Sequence, residues 1–128
     1  MNLPDDLIFT QQHEWLRVDG TDATVGVTDF AQQQLGDLTF LELPQVGQSF
    51  AKGDEVVAIE SCKAAAAVYA PAQCEIIEIN ESLEEAPGLV NSDPYAAGWI
   101  FKVRINDQSQ LEGLMNPTEY TAFLEAQG

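Results

Sequence analysis

Apolar and polar positions alternate along this chain in short runs, with turn-forming residues between the runs. "EWLRVDGTDATVGVT", residues 14–28, reads as two strands about a "DGTD" turn. Trp15 and Arg17 alternate with Leu16 and Val18, and Ala23, Val25 and Val27 with Thr24, Gly26 and Thr28. The period then becomes helical over "TDFAQQQLG". Thr28 is placed to cap this helix, Asp29 falls in its first turn, and Gly36 ends it. "DLTFLELP" alternates again, with Leu38 and Phe40 expected on one face, Thr39 and Leu41 on the other, and Pro44 as the stop. "VGQSFAKGDEVVAIES" predicts a strand, a Lys52-Gly53-Asp54 turn and a further strand. "CEIIEIN" and "GWIFKVRIN" predict two more. In the latter, Ile100, Lys102 and Arg104 share one side, and Phe101, Val103 and Ile105 the other. "NESLEEAPGLVN" allows a short helix at most, capped by Asn80 and broken at Pro87-Gly88. "NPTEYTAFLEAQ" is a marked helix: Asn116 caps it, Pro117 takes its first position, and Glu119 completes a capping box.

"AIESCKAAAAVYA" pulls in two directions. Its four consecutive alanines, Ala64 to Ala67, favour a helix. Its flanks, "EVVAI" and "VY", are β-branched or aromatic, and Pro71 closes the segment soon afterwards. Set between strands, it predicts strand, turn, strand, with Lys63 at or near the turn. The whole pattern implies a small, mainly β barrel or sandwich with short helices at its ends, in a single domain over residues 1–128.

Charge narrows the choice of partners. Twenty-one acidic residues face five basic ones, a formal net charge of −16. Binding to nucleic acid or an anionic membrane surface needs clustered Lys and Arg, so both are excluded as expectations. No run of the chain reaches the roughly 18 apolar residues of a membrane span. "MNLPDDLIFT" shows neither a basic signal region nor an Arg-rich transit pattern, and Cys62 and Cys74 suit a reducing compartment as free thiols. A cytoplasmic location is the expectation.

The usual catalytic signatures are missing: no phosphate-binding glycine loop, no H-E-x-x-H, no C-x-x-C. One histidine, His13, cannot make a His-rich metal site. Cys62 with His13 would be the nearest approach to a thiolate dyad, but His13 reads first as a half-buried residue at a strand start. Cys74 reads as a small core or turn residue. Lys52 in a turn and Lys102 on a polar strand face are ordinary. Lys63 differs, because Cys62 and Ala64 to Ala67 leave its amine sterically open. Physics alone leaves two readings of it: a surface lysine on a tight turn, or a lysine presented to a modifying enzyme.

A family resemblance separates them. "HEWLRVDG", "ATVGVTDFAQQQLGDLTFLELPQVG", "KGDEVVAIESCKA", "VYAP", "EIIEIN", "LVNSDPYAAGWIFKV" and "EYTAFL", in this order over nearly the whole chain, resemble the glycine cleavage H-protein family. That family's Glu-Ser-Val-Lys-Ala hallmark stands here as Glu60-Ser61-Cys62-Lys63-Ala64. The resemblance implies a lipoyl-domain-like β-barrel sandwich hybrid, with short flanking helices and a C-terminal helix. It implies a non-catalytic carrier whose Lys63 bears lipoic acid as an amide, attached by a lipoyltransferase or lipoate ligase. Glu60 and Gly47 match positions important to that modification. The implied partners are the glycine decarboxylase (P protein), which loads an aminomethyl group and releases carbon dioxide, and the T protein, which passes the one-carbon unit to tetrahydrofolate. The L protein, a dihydrolipoyl dehydrogenase, reoxidises the arm. A free monomer suits such a shuttle.

Departures cluster near the lysine. Cys62 replaces the usual Val, Ala66-Ala67 the usual Ser-Asp, and Cys74 the usual Gly. They bear on cargo protection and keep open a paralogue that donates lipoate in a relay. Two other classes make different predictions. A thiol enzyme using Cys62 would lose activity with Cys62→Ser and not with Lys63→Arg. An acidic interaction module would ignore both substitutions.

Overall fold

The computed structural model describes residues 3–127. Among these residues nine strands form two sheets. The larger has the order β1-β2-β3-β9-β8-β5: β1 is Ile8–Phe9, β2 Glu14–Asp19, β3 Asp22–Val27, β5 Ser49–Phe50, β8 Cys74–Ile79 and β9 Phe101–Arg104. The smaller has the order β4-β6-β7: β4 is Leu38–Glu42, β6 Glu55–Ser61 and β7 Ala65–Tyr69. Both are antiparallel throughout, and neither closes on itself. One core fills the space between them, with Leu16, Val25, Ile76 and Val103 from the larger sheet against Leu41, Val57, Ile59 and Val68 from the smaller.

The β2–β3 hairpin turns at Gly20, whose φ of 63° the two-residue loop requires. Within it, Trp15 lies opposite Gly26, and a Cβ at Gly26 would come within 2.6 Å of the indole. Glycine is therefore compelled in mid-strand by the buried tryptophan, whose Nε1 donates to the Pro94 carbonyl at 3.0 Å. Helix α1, Asp29–Leu35, forms as its end signals dictate. The Thr28 hydroxyl accepts from the Ala31 amide, and Gly36 ends the helix at φ 74°. Helix α4, Pro117–Gln127, carries the expected capping box: Glu119 N donates to Asn116 Oδ1, and Asn116 N to Glu119 Oε1. Its Tyr120 joins Leu7, Phe9 and Trp15 in a second cluster at the edge of the larger sheet.

Three local expectations need correction. A bulge interrupts β4 between Leu38 and Phe40, so Leu38 and Leu41 are buried while Thr39 and Phe40 are exposed. Ile100 is fully buried, because it precedes β9 and its amide donates to Val25 O rather than alternating with Lys102. Asn80 does not cap a helix: its side chain donates to the carbonyls of Ala97 and Trp99. Two short helices follow instead of one, α2 (Ser82–Glu85) and α3 (Leu89–Ser92), on either side of Pro87-Gly88.

Candidate functional site

The alanine-rich segment is a hairpin. β6 and β7 pair from Glu55↔Tyr69 to Glu60↔Ala65, and the sheet overrides the helix preference of Ala64 to Ala67. Ser61, Cys62, Lys63 and Ala64 make the tip. The Ser61 amide donates to Ala64 O at 2.9 Å. Its hydroxyl donates to the same carbonyl at 3.0 Å and accepts from the amides of Lys63 and Ala64 at 3.3 and 3.1 Å. One hydroxyl thus uses its donor and both lone pairs to shape the loop.

The tip does not stand free of the body. The Cys62 amide donates to Asp37 O at 3.0 Å, which seats the loop on the corner between α1 and β4. Asn91 of α3 holds that corner. Its Nδ2 donates to Gly36 O and Gln32 Oε1 at 2.8 and 2.9 Å, and its Oδ1 accepts from Leu38 N at 2.9 Å. The stem of Lys63 lies along Gly36: a Cβ there would be 3.3 Å from Lys63 Cε and 3.1 Å from Cys62 Sγ. Lys63 itself is exposed. Of the five basic residues, Arg17, Lys102 and Arg104 are engaged in ion pairs, with Asp6, Glu78 and Asp22. Among the described residues, Lys63 has no carboxylate partner. The structure therefore presents an anchored backbone and an uncommitted amine.

Glu60 is exposed on β6, three residues before Lys63, between Phe40 of β4 and Ala65 of β7. Gly47 is not brought to the tip. The β4–β6 register runs away from it, from Leu38↔Ser61 to Glu42↔Ala58, and Gly47 follows the far end. There it turns the chain at φ 94°, and its amide donates to Ile76 O of the larger sheet.

The two thiols differ. Cys62 is exposed. Cys74 is buried, and burial, with the nearby Asp54 carboxylate adding to it, pushes its thiol up to about 11, so it stays protonated. His13 precedes β2 at φ 67°. It shares a 2.8 Å hydrogen bond with the Tyr120 hydroxyl and packs against Phe30, and burial lowers its pKa. No hydrogen bond joins it to Cys62 among the described residues. Glu14 is buried, and burial raises its pKa. Its carboxylate accepts from the Thr10 hydroxyl and from the Tyr69 amide just after the hairpin alanines. Beside the hairpin lies a cavity of about 190 Å3, lined among others by His13, Phe30, Leu35, Ile59, Ala66 and Ala67, with no acidic side chain in its wall.

Ser61 and Asn91 are the positioning residues that sequence reasoning did not single out. Ser61 stood inside the quoted hallmark. Asn91 gave no local signal, because its carbonyl partner Gly36 is 55 residues away.

A two-sheet β scaffold that presents one lysine on an anchored hairpin defines a class of small lysine-bearing β domains. Within that class, residues 7–127 match the family model described as Glycine cleavage H-protein. The Halothermothrix orenii glycine cleavage system H protein is 49% identical over 125 residues, covering 98% of both chains. That of Escherichia coli O7:K1 is 50% identical over 126 residues, covering 97% of both. The crystal structure of a glycine cleavage system H protein from Mycobacterium marinum superposes with a TM-score of 0.88 at 32% identity, over 96% of this chain and 99% of that one. The chain belongs to the glycine cleavage H-protein family.

Proposed function

We propose that this protein is a lipoyl carrier of the glycine cleavage system and that Lys63 is the attachment point. The observation that carries this reading is an exposed lysine without an ion-pair partner at the tip of a backbone-anchored hairpin, in a chain of this family. The tip suits an amide-linked lipoyl group. The side chains of Ala64 and Ala65 are too small to crowd the amine, and Ser61, Asp37 and Asn91 fix where the arm begins. When bound, such a group supplies a disulfide that can accept two electrons and a sulfur that can hold a one-carbon amine. The chain's own residues do not perform that chemistry. They hold the arm's root, neutralise nothing near it, and offer Glu60 as an acidic mark for the attaching enzyme.

In this reading the whole chain is one carrier domain, a monomer of the cytoplasm. It takes an aminomethyl group from the P protein to the T protein and is reoxidised by the L protein. Tethering raises the effective concentration of the arm at each of these enzymes. Gly47 would act on modification through the turn it builds and not by contact at the tip. One observation favours a second reading, a family member that donates its lipoyl group in a relay. The cavity beside Ala66 and Ala67 carries no carboxylate to hold an ammonium-bearing cargo.

The deciding experiment is the intact mass of the chain after incubation with lipoate, ATP and a lipoate ligase active on a control carrier. One lipoyl group is expected on the wild type and none on Lys63→Arg. Modification that survives Lys63→Arg, or is lost with Cys62→Ser, removes the assignment. Glycine-dependent carbon dioxide exchange with P protein then separates shuttle from relay donor.

A further inference from the structure

Among the described residues, four large apolar side chains are exposed: Val18, Phe40, Val46 and Tyr69. Scattered exposure of this kind needs no explanation by itself. Phe40 differs from the others because the backbone departs from its own period to expose it. Strict alternation would place it on the face of Leu38, which is 4% exposed; the bulge instead leaves Phe40 52% exposed. The bulge is tied down from the neighbouring strand, where Thr39 Oγ1 donates to the Glu60 carbonyl at 3.1 Å. The same register sets Phe40 directly opposite Glu60, and Glu60 opposite Ala65. An aromatic ring, a carboxylate and a small residue thus form one row across the smaller sheet. Lys63 lies in the loop that joins the strands of Glu60 and Ala65, just beyond that row.

We propose that Phe40 is a docking residue for the enzyme that acylates Lys63. This rests on the reading of Lys63 given above. The partner surface is an apolar pocket that takes the ring, bordered by a basic side chain facing Glu60. Charge complementarity selects that chemistry, since the whole chain is −16 and the row has its own carboxylate. Position selects the attaching enzyme. To form the amide, it must cover the tip while the bond from the lipoyl carbon to its activating phosphate group breaks and the lysine nitrogen releases protons. Any surface covering the tip from the β4 side meets Phe40.

The test is steady-state acylation of the full chain by a lipoate ligase, followed by intact mass, for wild type, Phe40→Ala, Phe40→Tyr and Val46→Ala. Phe40→Ala is expected to raise the KM for the carrier about tenfold with kcat held within about twofold, while Phe40→Tyr and Val46→Ala stay near wild type. Calorimetric binding of the Lys63→Arg chain to the same enzyme should weaken about tenfold when Phe40→Ala is added. The thermal midpoint should fall by no more than about a few degrees, because half of the ring is already in solvent. An acylated wild type with an unchanged KM for Phe40→Ala overturns the docking role alone. A wild type that is never acylated overturns the lysine assignment and this proposal with it. A fall in kcat and midpoint together, not restored by Phe40→Tyr, assigns the ring a structural role and overturns the proposal. So does a wild-type dimer in sedimentation that Phe40→Ala dissociates.

Discussion

Gly36 sits at φ 74° and ψ −161°, a region occupied at low cost only by glycine, and the side chains of Cys62 and Lys63 close over it. The residue therefore has two reasons to be glycine, one in its own backbone and one in the lysine it supports. Gly36→Ala should cost about 1–3 kcal/mol through backbone strain. It should also displace the Lys63 stem and slow acylation. Gly20 separates the two effects. It too has positive φ, but a Cβ there meets nothing within 4 Å. Gly20→Ala should lose stability in urea unfolding and leave the acylation rate alone. Equal acylation rates in the two variants would mean that Gly36 serves the fold only.

At the scale of elements, α1 and α4 are joined to the start of β2 through one tyrosine. The Tyr120 hydroxyl lies 2.8 Å from both His13 Nδ1 and Thr28 Oγ1, and Thr28 caps α1. Burial holds the His13 pKa below its ordinary 6.5. A lowered pKa means stability that is present above that value and lost as pH falls through the folded one. Glu14 runs the other way: burial raises its pKa above 4.5, so its contribution is present below 4.5 and lost as pH rises through the raised value. Acidification from about pH 7 to pH 5.5 therefore draws on the His13 contribution. His13→Gln should reduce the loss of unfolding free energy over that window, measured in urea at both pH values. An unchanged pH dependence would remove His13 from the account.

How far these elements could be read from the chain depends on the range of the forces that make them. Caps and tight turns are local, so Thr28, Gly36, Asn116, Glu119 and the Gly20 and Gly53 turns were legible. The β6–β7 hairpin was legible from its β-branched flanks despite four alanines. The β4 bulge was not, since alternation carries no sign of an inserted residue, and the inserted Thr39 is fixed by a carbonyl 21 residues on. Asn80 looks like a cap in sequence, but its partners, Ala97 and Trp99, arrive from a distant loop. For the same reason Lys63 could be singled out, while the Asn91 clamp beneath it required the fold.

For the whole molecule, the decisive quantity is net charge. The two sheets bury an ordinary apolar core, and Arg17, Lys102 and Arg104 are already matched to carboxylates. Apart from the buried Glu14, the remaining acidic excess lies at the surface and sets a long-range negative field. The proposed acylation of Lys63 would deepen it, from −16 to −17, by removing one of the five positive charges. In the carrier role proposed above, the chain would meet several enzymes in turn and leave each one, so such a field would serve it best in the encounter step and least in the bound state. Screening lengths shrink from about 30 Å at 0.01 M salt to about 8 Å at 0.15 M. If the proposed carrier role holds, association of the lipoylated chain with the decarboxylase should then slow by about tenfold or more across that range, while dissociation changes far less. Stopped-flow or surface-plasmon rates at four salt concentrations measure both. A dissociation rate that carries most of the salt dependence would place the charge inside the contact and not in the approach. The acidic surface would then be a docking face in its own right.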